Sequence, residues 1–405
     1  MVALRVLNYE VAVIHMNGVD FLIGSEKIVN TPLGVFDEIA CALIADMSAE
    51  ILQSSLSRLY PDLSALAFWG RKANLQKLKA DFGNTEGRMG RGLCFHIAPS
   101  NIPVNFAFSY MFSLLAGNAN IVRLPSKTYP QVEAFCSIFA RIIEKYPKIA
   151  ARTAFVRYPR SDEITAAFCK QADARMIWGG DDTIIRVKSL AALPRCVDIT
   201  FADRYSVCIL DGITILEAND AILHRLAENF YNDTWLMDQN ACSSPQIILW
   251  KNDSILARET FWKCVLNVAK MKYTLQDAVS IEKYTFLCTE AISNPYIASF
   301  TQSGNLLYRV EMNALHTDMS NHRGSGGFFF EYSLQDDEDL FSIITEKFQT
   351  ITYFGFDPIL LRNQLIARNV RGIDRIVPIG KAMDIGTIWD GHDIVRELSR
   401  IIKVV

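Results

Sequence analysis

Cys242 is the residue with the most chemistry to offer. It stands in Asp238-Gln239-Asn240-Ala241-Cys242-Ser243-Ser244-Pro245, behind a polar loop and ahead of the apolar stretch Gln246 to Trp250. A nucleophilic thiolate needs such a partly open, polar setting. A small buried cysteine is the commoner use of the residue type, so this thiol takes its meaning from its company. The second segment is Ala98-Pro99-Ser100-Asn101-Ile102-Pro103, which follows an apolar strand and opens a long apolar helix. An asparagine there can offer its amide N–H to a developing oxyanion. The same residue types also build an ordinary turn.

Two more segments suit a phosphorylated ligand. In Leu115 through Lys127, Gly117-Asn118 ends a helix, and a buried strand then delivers Arg123 and Lys127 to its far end, where they meet a phosphate or remain solvated cations. In Trp178-Gly179-Gly180-Asp181-Asp182-Thr183, two glycines between a strand and a helix let backbone approach a ligand, with helix N–H groups available for phosphate. The full G-x-G-x-x-G fingerprint is absent, and a plain glycine turn fits the same residues. His96, inside an apolar strand, reads as a satisfied core histidine.

Strands and helices in alternation are needed to position these residues. From Gly90, short apolar runs alternate with helical stretches: Gly92 to Ala98, Val104 to Leu115, Ile121 to Leu124, Val132 to Glu144, Ala154 to Tyr158, Asp162 to Lys170, Arg175 to Trp178, and a helix from Thr183. Such alternation implies a parallel sheet with right-handed crossovers, binding ligands at the carboxyl ends of its strands. A second alternating region starts near Ser206, with Val207 to Leu210, a helix from Asn219 to Tyr231, Gln246 to Trp250, and a helix from Ser254 to Lys270. Before all this, Leu4 to His15 and Val19 to Ile23 flank Asn17-Gly18, a hairpin signal. Thr31-Pro32 reads as an N-cap with proline at the first helical position, leading into Phe36 through Met47. A further helical stretch covers Leu63 to Asp81. The expected division is 1–205 for the N-terminal elements and a dinucleotide-binding domain, 206–365 for a catalytic domain, and 366–405 for a segment returning to the first domain or to an oligomer interface.

Composition narrows the class. The chain has 405 residues, too many for one compact core. Half are apolar and 21% charged, as in globular proteins, and the net charge of -3 argues against a general nucleic-acid binder. Nine cysteines, an odd count without a C-x-x-C pair, read as reduced thiols in a cytoplasmic protein rather than a disulfide framework. No spacing suggests a metal site. The N-terminus lacks the pattern of a signal peptide. The apolar stretch from Ile102 to Gly117 is too short for a membrane span and contains Pro103 and Asn105.

Together the segments resemble the aldehyde dehydrogenase superfamily. Pro99-Ser100-Asn101-Ile102-Pro103 is similar to its P-W-N-F-P, whose asparagine helps form the oxyanion hole. Ala116-Gly117-Asn118-Ala119 followed by Arg123 is similar to A-G-N-x-V-V-x-K, with arginine in place of the cofactor-binding lysine. Gln239 to Cys242 resembles the stretch from G-Q to the catalytic cysteine, at a different spacing. Within the superfamily the chain resembles the LuxC-type fatty acyl-CoA reductases, on His96 through Asn101, Trp178-Gly179-Gly180-Asp181, Gln239 through Pro245, Gln349-Thr350, Gly372 through Val377 and Trp389-Asp390-Gly391.

The resemblance implies an α/β, aldehyde dehydrogenase-like fold: two doubly wound parallel-sheet domains, one for cofactor and one catalytic, plus a small β oligomerisation element. It implies Cys242 as nucleophile and Asn101 as oxyanion donor, with Ser100, Arg123, Ser126, Lys127, Gly179, Gly180, Thr183 and Glu331 binding cofactor, Glu331 at its nicotinamide ribose. Two departures sharpen the activity. Where the superfamily's E-L-G-G glutamate activates water, this chain has Phe201-Ala202-Asp203-Arg204-Tyr205-Ser206. That favours thioester exchange with CoA over hydrolysis. Where relatives have K-P-S-E, this chain reads Arg123-Leu124-Pro125-Ser126-Lys127, and a cation there suits the 2′-phosphate of NADPH. The expected activity is reduction of a fatty acyl-CoA to an aldehyde, by a homodimer or homotetramer, with an acyl-transferring enzyme as a further partner. The rival readings are an aldehyde dehydrogenase making acids, a non-catalytic scaffold, and a cysteine acyltransferase without nicotinamide.

Overall fold

The structure, a computed structural model, describes residues 11–13, 18–99 and 102–405. Two compact units divide the chain. One takes in the described residues up to Ala202 together with Gly386–Val405, and the other spans Asp203–Ile385.

The strands of the first unit are β1 (Val11–Val13), β2 (Asp20–Ile23), β3 (Lys27–Val29), β4 (Arg88–Gly90), β5 (Leu93–Ile97), β6 (Ala119–Arg123), β7 (Thr153–Arg157), β8 (Ala174–Trp178) and β9 (Val197–Phe201). Six form one sheet in the order β2-β7-β6-β5-β8-β9, parallel except for β2. From β5 the chain winds outward to β6 and β7, then returns to β8 on the other side. That reversal opens a crevice beyond the carboxyl ends of β5 and β8, where doubly wound sheets bind ligands. All five residues of β5 and of β8 are buried. Buried on both faces, these strands read in sequence as apolar runs without alternation.

The N-terminal expectations need correction. β1 pairs with β3, and β2 pairs with β7, so Val11–Val13 and Asp20–Ile23 do not form a hairpin with each other. The rest of the expected Leu4 to His15 strand, with Asn17, lies outside the described residues. Thr31 caps no helix. Residues 33–36 are held by backbone bonds from Leu33 N to Gly117 O and from Phe36 N to Leu115 O, and helix Glu38–Gln53 starts at Asp37, whose carboxylate accepts from Ile39 N and Ala40 N. The Leu63 to Asp81 stretch is two helices, Pro61–Trp69 and Lys72–Phe82, separated at Gly70.

Gly117 needs its lack of a side chain. It sits at φ 90°, and a Cβ would lie 2.2 Å from Leu33 O. Asn118 behind it is fully buried. Its Oδ1 accepts from Arg91 N at 2.7 Å and Gly92 N at 3.2 Å, and its Nδ2 donates to Leu398 O at 2.9 Å. Asn118 thus ties helix Asn105–Leu115 to the approach of β5. The strand Ser399–Ile401 closes this corner by pairing antiparallel with β4.

The second unit holds β10 (Tyr205–Asp211), β11 (Pro245–Lys251), β12 (Ile297–Ser303), β13 (Leu307–Met312), β14 (Phe328–Ser333), β15 (Phe348–Phe354) and β16 (Arg375–Pro378). They form one sheet in the order β12-β13-β14-β11-β10-β15-β16, parallel except for β12. Its two faces are covered by separate apolar clusters, one including Val207, Leu249 and Phe330 and the other Trp250, Phe261 and Phe329. The chain stays in this unit beyond residue 366, because β16 extends the sheet at its β15 edge, and it leaves at Gly386. Among the described residues no helix is long and apolar enough to cross a membrane.

Candidate active site

Cys242 occupies a tight turn between helix Asp220–Asp233 and β11. The helix gives way to a 3-10 turn, Trp235–Met237, and then Asp238 and Gln239 take left-handed backbone angles, φ 50° and 62°. Two such residues in succession reverse the chain, and strain of this kind persists only where the surroundings hold it. Here they do. Gln239 is 1% exposed and uses its whole amide. Its Nε2 donates to Phe328 O at 2.8 Å and Pro245 O at 3.0 Å, while its Oε1 accepts from Phe328 N at 3.1 Å and Gly327 N at 3.2 Å. Asp238 accepts from the Tyr273 hydroxyl at 2.6 Å.

The turn proper closes with Ser244 N donating to Ala241 O at 2.9 Å, placing Cys242 at its second position. The Ser206 hydroxyl donates to Cys242 O at 2.6 Å, and the Ser244 hydroxyl to Asp233 O at 2.7 Å. Cys242 itself is half-buried, unlike Cys94 and Cys208 in the sheets, which are fully buried and whose thiols burial pushes up, that of Cys94 to about 12. No disulfide engages any of the nine cysteines. The arrangement fixes the backbone on both sides of a half-buried cysteine, as a positioned nucleophile requires.

Because the Gln239 amide bonds the turn to the starts of both β11 and β14, its loss is costly. Gln239→Leu leaves four backbone groups without their partner and is expected to destabilise the protein by about 2 kcal/mol. Thermal unfolding checks this, and an unchanged midpoint would count against it.

In the first unit, the residues suited to a dinucleotide lie along the carboxyl edge of the six-stranded sheet. Arg123 ends β6, with its guanidinium 4.5 Å from the Tyr158 ring and Nη2 3.4 Å from Ser126 Oγ. Ser126 and Lys127 follow, exposed, and Lys127 Nζ lies 5.2 Å from the Tyr129 ring. Gly179 and Gly180 follow β8, and Gly180 is the N-cap of helix Asp181–Lys188. A Cβ on Gly180 would meet nothing within 4 Å, so open space lies beside it, while one on Gly179 would press on Thr183 at 3.1 Å. Asp181 and Asp182 occupy the first turn of that helix, so its dipole is already met by two carboxylates. Ser100 and Asn101 lie outside the described residues.

Residues 57–277 match the family described as Acyl-CoA reductase (LuxC), more than half of the chain. The chain belongs to the LuxC acyl-CoA reductase family. A curated relative of this LuxC-family protein is the long-chain acyl-protein thioester reductase of Vibrio harveyi, 22% identical over 327 residues. The match covers 78% of this chain and 64% of the relative, so the chain spans less than two thirds of that protein's length. Among solved structures, 1-pyrroline-5-carboxylate dehydrogenase of Thermus thermophilus is similar with a TM-score of 0.61 at 12% identity, covering 97% of this chain and 92% of its own. The NAD-dependent benzaldehyde dehydrogenase of Corynebacterium glutamicum is similar with a TM-score of 0.57 at 14% identity, covering 89% and 82%. These likenesses show the aldehyde dehydrogenase fold.

Two acidic residues of the LuxC-family chain take clear positions. Asp203, just ahead of β10, accepts from Arg323 Nη1 at 2.6 Å. Glu331 corrects an expectation. It is 2% exposed within β14, where Oε1 accepts from Trp262 Nε1 at 2.7 Å and Trp250 Nε1 at 2.9 Å, and Oε2 from Arg309 Nε at 2.7 Å. A carboxylate so enclosed, and already accepting three bonds from its own unit, is not placed to meet a ribose. The Gly-rich run before it serves packing: Gly327 sits at φ 92°, and a Cβ there would lie 2.3 Å from Leu306 O. His96 is a core histidine, 2.8 Å from Ser109 Oγ and 3.0 Å from Asn120 Oδ1, and burial lowers it to about 4. Sequence reasoning missed the bracing roles of Ser206 and Ser244. Nothing in their spacing marks them, because each acts on a backbone carbonyl brought close only by folding.

Proposed function

We propose that this protein reduces an acyl-CoA, with a fatty acyl chain, to the aldehyde through an acyl-Cys242 thioester, using NADPH. The observation that carries the reading is the braced, half-buried Cys242 turn in a chain of this family. The Cys242 thiolate attacks the thioester carbonyl and forms a tetrahedral oxyanion. Collapse breaks the carbon–sulfur bond to CoA, which leaves as its thiolate, and the acyl group stays on Cys242. When bound, the reduced nicotinamide supplies the hydride that converts the acyl thioester to a thiohemiacetal. The thiohemiacetal then loses its proton and expels the Cys242 thiolate, releasing aldehyde. Asn101 is proposed as the side-chain donor to both oxyanions, and one such donor is worth about a hundred- to a thousand-fold in rate.

The residues present fit the cofactor. The doubly wound sheet has its switch point at β5 and β8, Gly180 borders open space, and Arg123 and Lys127 place two cations beyond β6. We assign Arg123, Ser126 and Lys127 to the adenosine end, where a 2′-phosphate gains from the charge, and Gly179, Gly180 and Thr183 to backbone contact. Hydrolysis of the acyl-enzyme is disfavoured because Asp203 is committed to Arg323 and no glutamate replaces it.

The V. harveyi relative is named for a long-chain acyl-protein thioester, so both carriers belong in the test. Purified protein is mixed with acyl-CoAs of graded length, or the same acyl groups on a carrier protein, and with NADPH or NADH. Loss of reduced-cofactor absorbance and aldehyde formation are followed together. Turnover is expected with acyl-CoA, faster with NADPH than with NADH. Silence with every thioester under reducing conditions would sink the proposal.

A further inference from the structure

Asp233 ends the helix that leads to the Cys242 turn and is 1% exposed. Its Oδ2 accepts from Gly380 N at 2.6 Å and its Oδ1 from Ala382 N at 3.0 Å. From the other side the Arg375 guanidinium donates to Ala382 O at 2.8 Å, Asp384 O at 2.9 Å and Lys381 O at 3.1 Å. The loop 380–384 is therefore held by its N–H groups through one carboxylate and by its carbonyls through one cation. The same loop touches the nucleophile's turn. The Ser243 hydroxyl lies 3.6 Å from Met383 Sδ, and the Ser244 hydroxyl donates to the carbonyl of Asp233. One residue thus joins the loop, by its side chain, to the turn, by its backbone.

We propose that Asp233 is a positioning residue for Cys242, its carboxylate clamping the 380–384 loop against the Ala241–Ser244 turn and releasing it on protonation. Both oxygens already accept from an N–H. A proton on the carboxyl removes its charge, and the two N–H bonds lose the charge assistance that makes them strong, so the clamp weakens. Burial pushes the Asp233 carboxyl up to about 7, opposed by the Gly380 and Ala382 N–H groups and by Arg375, with Asp384 adding to the rise. The other charged or titratable neighbours are Lys381, paired with Asp384 at 2.8 Å, and the buried Cys208 thiol of β10.

The sign distinguishes positioning from mere support. A carboxyl whose folded value is raised favours folding in its protonated form, a contribution lost as pH rises from the ordinary carboxylate range through about 7. The clamp, in contrast, is complete only above that pH. Stability and positioning therefore run in opposite directions.

This rests on Cys242 being the reactive thiol, and peptide-resolved alkylation with iodoacetamide across pH separates the two ideas. In the wild type, Cys242 is expected to alkylate faster than the other cysteines, with a second inflection near pH 7 besides its own ionisation. Asp233→Asn, which mimics the protonated acid, is expected to lose that inflection and to react about tenfold more slowly at pH 8, the upper worth of one net hydrogen bond. Its thermal midpoint at pH 8 should be equal or higher. A reactive Cys242 with the same profile in both proteins overturns the positioning role alone. A Cys242 no faster than its fellows in the wild type overturns the nucleophile. Should the variant fail to fold, hydrogen exchange of the wild-type 379–384 peptide decides. Protection corrected for intrinsic rate must fall as pH drops through 7, and flat protection overturns the clamp.

Discussion

Cys242→Ala is expected to lower kcat for thioester reduction by at least about a thousand-fold, while leaving cofactor binding and the unfolding midpoint nearly unchanged. The size follows from the loss of the only group proposed to bond with substrate. Knocking out the nucleophile of a covalent enzyme costs on the order of a million-fold, with residual rate from binding alone. The mildness toward stability follows from the turn. Its hydrogen bonds run through Cys242 O, Ala241 O and the two serine hydroxyls, none of which needs the sulfur. Mass spectrometry after mixing with acyl-CoA, without cofactor, should show one acyl group on the wild type and none on the variant. A variant keeping a tenth of the wild-type rate would place the chemistry elsewhere.

Glu331→Ala is expected to cost about 3–5 kcal/mol of stability, because it leaves one guanidinium N–H and two buried indole N–H groups without their acceptor. Arg309 Nη1 keeps a second partner in Glu259 at 2.9 Å, while its Nε loses the bond to Glu331. Arg258 Nη1 lies 4.0 Å from Glu331 Oε2 and keeps Asp253 and Glu311 as partners, so the loss falls on Arg309 Nε and the two indole N–H groups. Urea unfolding gives the number, and a loss under about 1 kcal/mol would show that the network relaxes around the gap. The KM for cofactor should be unmoved in whatever fraction stays folded, since the carboxylate is enclosed by tryptophans.

The doubly wound pattern from Gly90 onward was legible because its strands are buried on both faces. Leu93–Ile97 and Ala174–Trp178 carry their burial as plain apolar runs, and Asn105–Leu115 is apolar nearly all round. The setting of Cys242, a polar loop before it and a strand after it, was legible as well. Less legible was anything decided by long-range partners. Thr31-Pro32 has the local chemistry of a helix start, yet Gly117 and Leu115 claim the backbone beyond it and the cap passes to Asp37. Asn17-Gly18 signals a hairpin, yet β3 and β7 take the two strands. Glu331 was expected at a ribose, because two tryptophans and an arginine from other elements leave no trace around it in sequence. Asp233 carried no signal in sequence, since its donors come from a loop 147 and 149 residues later.

The strand Ser399–Ile401 has a consequence for how the protein is made. The Arg88 guanidinium and the Ser399 hydroxyl that meet beside β4 are 311 residues apart in the chain. At about 5–20 residues per second on the ribosome, roughly 15–60 s separate the emergence of the two. The whole second unit is synthesised in that interval and can fold first, although the first unit began earlier. Until then Asn118 lacks the Leu398 carbonyl, and β4 presents a bare edge open to other nascent chains. Ribosome-bound chains halted before Gly386 should therefore be the species that chaperones hold.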